Sequence, residues 1–257
     1  LELFDNKIII NDAHIHLGKS SEINRSLQID DILRLKDKRR LGNLMLMSLD
    51  LDIEINNKTI IELCERFPFI FGLLWIQKSK LSENIDLFEK MLGNSRVIGA
   101  KFHGSFENTP VSSSVYSPLM KVLNEKEAIL LTHTGRYKDA SLESNTSYLH
   151  AIELAKSYPK IKVILAHMGG TDTSIIKRAV QDSKDIPNIY FDTSGITTPY
   201  IIEYATRVID VKRILFGSDE PWCSFMSMYY NIIDSQITKE DKEAILSENF
   251  NKLILEH

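Results

Sequence analysis

The chain has 257 residues, 31 Lys and Arg against 35 Asp and Glu, and a net charge of −4, so it lacks the basic excess of a nucleic-acid binder. Its two cysteines are too few for a disulfide framework, and its longest apolar stretch, Phe67–Ile76, is interrupted by Pro68 and Gly72 and falls well short of the roughly 20 residues a membrane span needs. Leu1–Lys7 does not read as a signal peptide and Leu255-Glu256-His257 resembles the start of a histidine tag, so the expectation is a cytoplasmic protein with one domain over residues 1–254 and a tag remnant at 255–257.

In chain order, a strand is predicted at Lys7–Ala13 and a helix at Asp30–Leu41, then a strand at Asn43–Asp50 and a helix at Lys58–Arg66. The alternation continues with strand Phe69–Ile76 and helix Ser82–Leu92, then strand Arg96–His103 and helix Pro118–Lys126. Strand Ala128–His133 precedes helix Ser147–Ser157, and strand Lys162–His167 precedes helix Thr173–Ser183. Strand Asn188–Asp192, helix Pro199–Ile209, strand Arg213–Ser218 and helix Phe225–Asp234 follow, and a last helix spans Lys239–Leu253. The strands are nearly continuously apolar, as strands buried on both faces of a parallel sheet are. Eight strand–helix units in this length predict an α/β fold, a single-domain (β/α)8 TIM barrel, ahead of a doubly wound open sheet. The polar stretches Lys19–Leu27 and Ser105–Ser117 read as long loops able to act as lids.

With His257 set aside, five of the six remaining histidines fall at strand ends: His14, His16, His103, His133 and His167, with only His150 inside a helix. Asp219 follows the last strand. In a parallel barrel the C-terminal strand ends share one mouth, so these side chains are expected to meet there. Strand alternation turns His14 and His16 to one side, a spacing that can grip one metal ion, and gives Asp12 the same parity, from which it could orient an imidazole. Taken singly, a strand-end histidine is more often a hydrogen-bonded structural residue; it is the set, with Asp219, that favours a metal centre. Trp75 is read foremost as barrel packing. Ser194 and Glu220 fall at the rim and carry no assigned role.

The segments Asp12-Ala-His14-Ile-His16, Gly99-Ala-Lys101-Phe-His103, Thr132-His133-Thr-Gly135, Ala166-His167-Met-Gly-Gly170, Asp192-Thr-Ser-Gly195 and Gly217-Ser-Asp219-Glu-Pro221 together resemble the amidohydrolase superfamily, in its amidohydrolase-related (amidohydrolase 2) branch of metal-dependent hydrolases and decarboxylases. The resemblance implies an enzyme with one divalent cation, foremost zinc, with manganese, iron or cobalt as alternatives and a second cation less expected. It implies His14, His16, His133 and Asp219 as metal ligands. Asp219 would bind the metal or take a proton from its water, and His167 would polarise the substrate. Lys101, His103 and His167 are the residues for a second cation or for the substrate. The first expectation is hydrolysis of an amide, lactone or ester in a small, carboxylate-bearing molecule by a metal-activated water. The alternative is a lyase, the non-oxidative decarboxylation of an aromatic or enoic acid, and the third is a barrel that only binds a metal or ligand. Arg136 could clamp a substrate carboxylate, though a plain surface arginine is favoured, and Trp222 could wall a flat substrate. The expected partner is a small molecule, with no nucleic acid or membrane, and a homo-oligomer is allowed.

Overall fold

The structure, a computed structural model, describes residues 8–20, 24–49, 53–136 and 145–255. The predicted strand ends at Lys7 and Asp50, and His257, lie outside these residues. Among them runs one curled sheet. Its strands are β1 (Ile10–Ser20), β2 (Arg25–Leu27), β3 (Leu41–Ser48), β4 (Ile70–Trp75), β5 (Val97–Phe102), β6 (Ile129–Thr132), β7 (Lys162–Leu165), β8 (Ile189–Asp192) and β9 (Ile214–Leu215). The spatial order is β2-β1-β3-β4-β5-β6-β7-β8-β9, with every pairing parallel except the antiparallel β1–β2. Backbone bonds from Ala13 to Phe216 (2.8 Å), Asp219 to His14 (2.6 Å) and His16 to Glu220 (2.9 Å) join β1 to the segment after β9.

Side-chain alternation builds two apolar layers. Leu44, Leu46, Leu130, Val163 and Leu165 join the large cluster shared with the helices. Met45, Met47, Ile129, Leu131 and Ile164, one residue out of step, form a second cluster with Phe250 and Leu253 of the terminal helix. The same alternation continues Ile129 and Leu131 into His133, and carries Gly99 into Lys101 and His103. Position along a strand therefore decides which residues reach the site.

Three expectations change. The stretch Lys19–Leu27 is in part a hairpin: β1 runs on to Ser20 and pairs with β2, Gly18 opposite Leu27. The last helix is in two pieces, Lys239–Glu243 and Asn249–Leu255, joined by a wide turn at Ala244–Glu248. Its Ile245 and Ser247 carbonyls accept bonds from Phe216 N–H and the Asn11 amide, which draws them out of the regular helical ladder. Finally, β7 stops at Leu165, so His167 sits in a tight turn rather than on a strand.

Candidate metal centre

The imidazoles of His14 and His16 approach each other through Nε2, 3.1 Å apart. Asp219 Oδ1 lies 3.4 Å from His14 Nε2 and 3.2 Å from His16 Nε2. The ligand atoms of these three residues all fall within 4.8 Å of one another. Each ring is held from behind. His16 Nδ1 is 2.9 Å from the carbonyl of Ser48, and His14 Nδ1 is 2.9 Å from Asp192 Oδ2. A carbonyl or carboxylate oxygen only accepts, so both Nδ1 atoms carry the proton and both Nε2 atoms present lone pairs. Three electron-pair donors thus face one small space with no proton of their own between them. A divalent cation resolves that repulsion, and the imidazole–imidazole–carboxylate set suits one.

Burial keeps His14 in the form that binds a cation, and neighbouring groups do the same for Asp219. Burial, aided by the Lys101 ammonium and opposed by Asp192 and Asp219, lowers His14 to about 4. Burial alone would raise the Asp219 carboxyl, but the close histidines His14, His16 and His167 hold it well below the usual carboxylate range. Against the same burial, His14 brings Asp192 down to about 2. Lys101 Nζ stands 3.1 Å from His14 Nε2, and burial lowers it to about 8.

The other predicted histidines stand beside this trio. The His103 and His133 rings stack at 4.0 Å, and burial places both well below the usual imidazole range. His133 Nδ1 is 3.2 Å from His167 Nε2, so His133 meets its histidine neighbours rather than joining the three closest donors. His167 and Met168 have φ of 56° and 55°, a left-handed turn costly for residues with a Cβ. It is held by Asp192 Oδ1, which accepts the His167 N–H at 3.1 Å. His150 lies apart, its Nδ1 3.1 Å from Ser112 Oγ.

A cavity of about 460 Å³ opens over these groups, a size suited to a small molecule. Trp75, Phe106 and Trp222 line it, with Arg136 and Cys223. Trp75, expected to be packing, is almost fully buried yet also lines the cavity. Phe106, which stacks on His103 at 4.1 Å, was hidden in a loop read as a polar lid. A lone aromatic three residues beyond a strand-end histidine was the available signal. Cys223, with Sγ 3.9 Å from Asp219 Oδ2, carried no such signal. Glu220 is gripped by Arg39 at 2.5 and 3.1 Å, which braces the segment bearing Asp219.

One expected role moves. Asp12 does not orient an imidazole; its Oδ1 accepts the N–H groups of His14 (3.0 Å) and Ser218 (2.9 Å). The β1–β3 register shifts between Asp12 and Ile15, which breaks the alternation that gave Asp12 and His14 a common face. The residue behind His14 is Asp192, at the end of β8.

No curated protein matches this chain by sequence. Solved structures do match in fold. The 2,6-dihydroxybenzoate decarboxylase from Rhizobium has a TM-score of 0.77 at 15% identity, covering 96% of this chain and 100% of that chain. The 5-carboxyvanillate decarboxylase from Sphingomonas paucimobilis has a TM-score of 0.75 at 13% identity, covering 96% and 99%. A dihydroxybenzoic acid decarboxylase from Polaromonas sp. JS666, with bound manganese and the inhibitor 2-nitroresorcinol, has a TM-score of 0.73 at 16% identity, covering 96% and 97%. A family model described as Amidohydrolase matches residues 51–253, and with most of the chain inside that match, the protein belongs to the amidohydrolase-2 family.

Proposed function

We propose that this chain is a metal-dependent lyase that removes carbon dioxide from an aromatic carboxylic acid, built as a single closed (β/α)8 barrel. The observation that carries the reading is the pairing of a cation-ready donor trio with a cavity walled by aromatic rings. The likeness to three decarboxylases supports it over hydrolysis of an amide, lactone or ester, which would use the same donors and is favoured only by similar structures described as amidohydrolases, without a substrate. His14, His16 and Asp219 are the proposed ligands. His133 is the proposed fourth, since it lines the same cavity as a neutral imidazole. We favour one cation. Lys101, set against His14 Nε2, is then an ammonium beside the site rather than a ligand. Two similar structures contain manganese, which makes it the first metal to test.

When bound, the cation would supply Lewis-acid attraction for the substrate carboxylate and a neighbouring hydroxyl. Trp222 and Phe106 would hold the ring flat, and Arg136 at the rim would take a remote anionic group. The step needs one proton at the ring carbon that bears the carboxylate. His167 delivers it, or Asp219 once it has taken a proton from the substrate hydroxyl, which water later restores; the carbon–carbon bond breaks, and its electron pair restores the ring as carbon dioxide leaves. Two free thiols fit the proposed cytoplasmic setting.

The test is carbon dioxide release from a panel of hydroxybenzoates by protein loaded with manganese. Release by the wild type, with a loss of about 10²–10⁴-fold in Asp219→Asn or His167→Asn, supports the reading. Hydrolysis of lactones or amides with no carbon dioxide from any acid would overturn it.

A further inference from the structure

Asp192 does not line the cavity, yet four groups close on its carboxylate and a fifth reaches it indirectly. Oδ2 accepts from His14 Nδ1 at 2.9 Å. Oδ1 accepts the backbone N–H of His167 at 3.1 Å and that of Ser194 at 3.0 Å, and it also takes the Ser194 hydroxyl. The fifth, His167 Nδ1, reaches it through Ser194, lying 2.9 Å from Oγ and 3.2 Å from the Ser194 carbonyl. The Ser194 proton is already committed to Asp192, so towards His167 its oxygen accepts. One buried carboxylate therefore orders two histidines with different tasks.

We propose that Asp192 is a positioning residue that sets the tautomer of His14, so that Nε2 is free to take a cation, and at the same time pins the left-handed turn and ring of His167. This inference rests on the reading of His14 as a metal ligand, though not on any particular reaction.

The decisive variant is Asp192→Asn. An amide has one accepting and one donating end. Its oxygen belongs beside the two backbone N–H groups and the Ser194 hydroxyl, all donors. Its NH₂ must then face His14 Nδ1, which has to accept, and the His14 proton moves to Nε2. That proton occupies the lone pair a cation needs. Ser194→Ala is the contrast, because it removes the hydroxyl, which also lies 3.1 Å from His14 Nδ1, but leaves Asp192 Oδ2 in place as the acceptor of the His14 proton.

Nitrogen-15 ring spectra of the metal-free protein and manganese titrations read this directly. In the wild type His14 should show its proton on Nδ1, a result that needs no variant to fold. Asp192→Asn should show it on Nε2 and bind manganese about 10–100-fold more weakly. Ser194→Ala should keep the wild-type His14 tautomer and manganese affinity, with a changed His167 signal. A wild-type His14 protonated on Nε2, an Asp192→Asn protein that binds manganese normally, or a Ser194→Ala protein that loses as much affinity as Asp192→Asn would each overturn the proposal. None of these measurements uses a substrate, so absence of decarboxylation would count against the proposed function and leave this inference standing.

Discussion

His14 and His16 illustrate how a site can be unfavourable for the empty chain and useful for the loaded one. Their Nδ1 protons are committed backwards, so their Nε2 lone pairs confront each other at 3.1 Å. Removing both rings should therefore cost the metal-free protein less than the ~2–5 kcal/mol usual for large-to-small changes in a core. The His14→Ala/His16→Ala double variant is expected to lose manganese binding by at least about 100-fold while unfolding within a few degrees of the metal-free wild type. Calorimetric titration and thermal unfolding check the two halves; a collapse of the metal-free fold would show that the pair is structural. The members of this centre were legible because their strand-end positions repeat along the chain. Asp192 was visible only as part of a motif, since its partners lie 178 and 25 residues away in sequence and meet it only once the sheet is paired. Asp12 was misread because a register shift is a property of two strands, and one strand's alternation cannot reveal it.

Elements were legible to the extent that local pattern decides them. The eight parallel strands follow from apolar runs, and the helices from the polar–apolar stretches between them. What pattern could not show is where backbone bonds are drawn elsewhere, as at the wide turn Ala244–Glu248 or the extension of β1 into a hairpin. Close strand approach offers a sharper test of the architecture. Gly99 on β5 lies opposite Ile129 on β6, and a Cβ at Gly99 would stand 1.9 Å from the Ile129 carbonyl oxygen. That contact is with backbone and cannot be relieved by a rotamer change. Gly99→Ala should cost more than the ~1–3 kcal/mol of ordinary overpacking. Gly93, with φ of +80° and open space around its would-be Cβ, is the comparison: Gly93→Ala should cost only about 1–2 kcal/mol of left-handed strain. Urea midpoints for the two variants measure the difference, and equal losses would mean that β5 and β6 are not this closely paired.

At the scale of the whole molecule, the buried histidines tie stability to pH and to the cation. His14 is lowered to about 4, and His103 and His133 lie well below the ordinary imidazole value of 6.5, all foremost through burial. Between those values and 6.5 the unfolded chain binds protons that the folded one refuses. Stability therefore rises with pH through this window and is lost as pH falls from about 6.5 towards 4. Asp12 acts the other way. Burial raises it to about 7 from 3.8, so over most of the same window the folded chain holds a proton that the unfolded chain releases. Three imidazoles against one carboxyl should leave a net fall in the melting temperature of the metal-free protein as the medium is acidified. Asp12→Asn, which removes the opposing group, should make that fall steeper. Only neutral imidazole binds a cation, so manganese stabilisation must shrink as pH falls to the point where folded His14 takes a proton, about 4. At pH 7.5, with manganese at 100 times its dissociation constant, binding adds ~2.7 kcal/mol, or roughly 5–10 °C for a chain of this size. Because folded His14 takes a proton only near pH 4, that gain should largely survive at pH 5 and fall away below about 4. Differential scanning calorimetry across this range, with and without manganese, measures both effects. A metal-free melting temperature that holds or rises on acidification would show that these histidines are not kept neutral by burial. A manganese gain that persists unchanged at pH 3.5 would place the cation on groups other than these imidazoles.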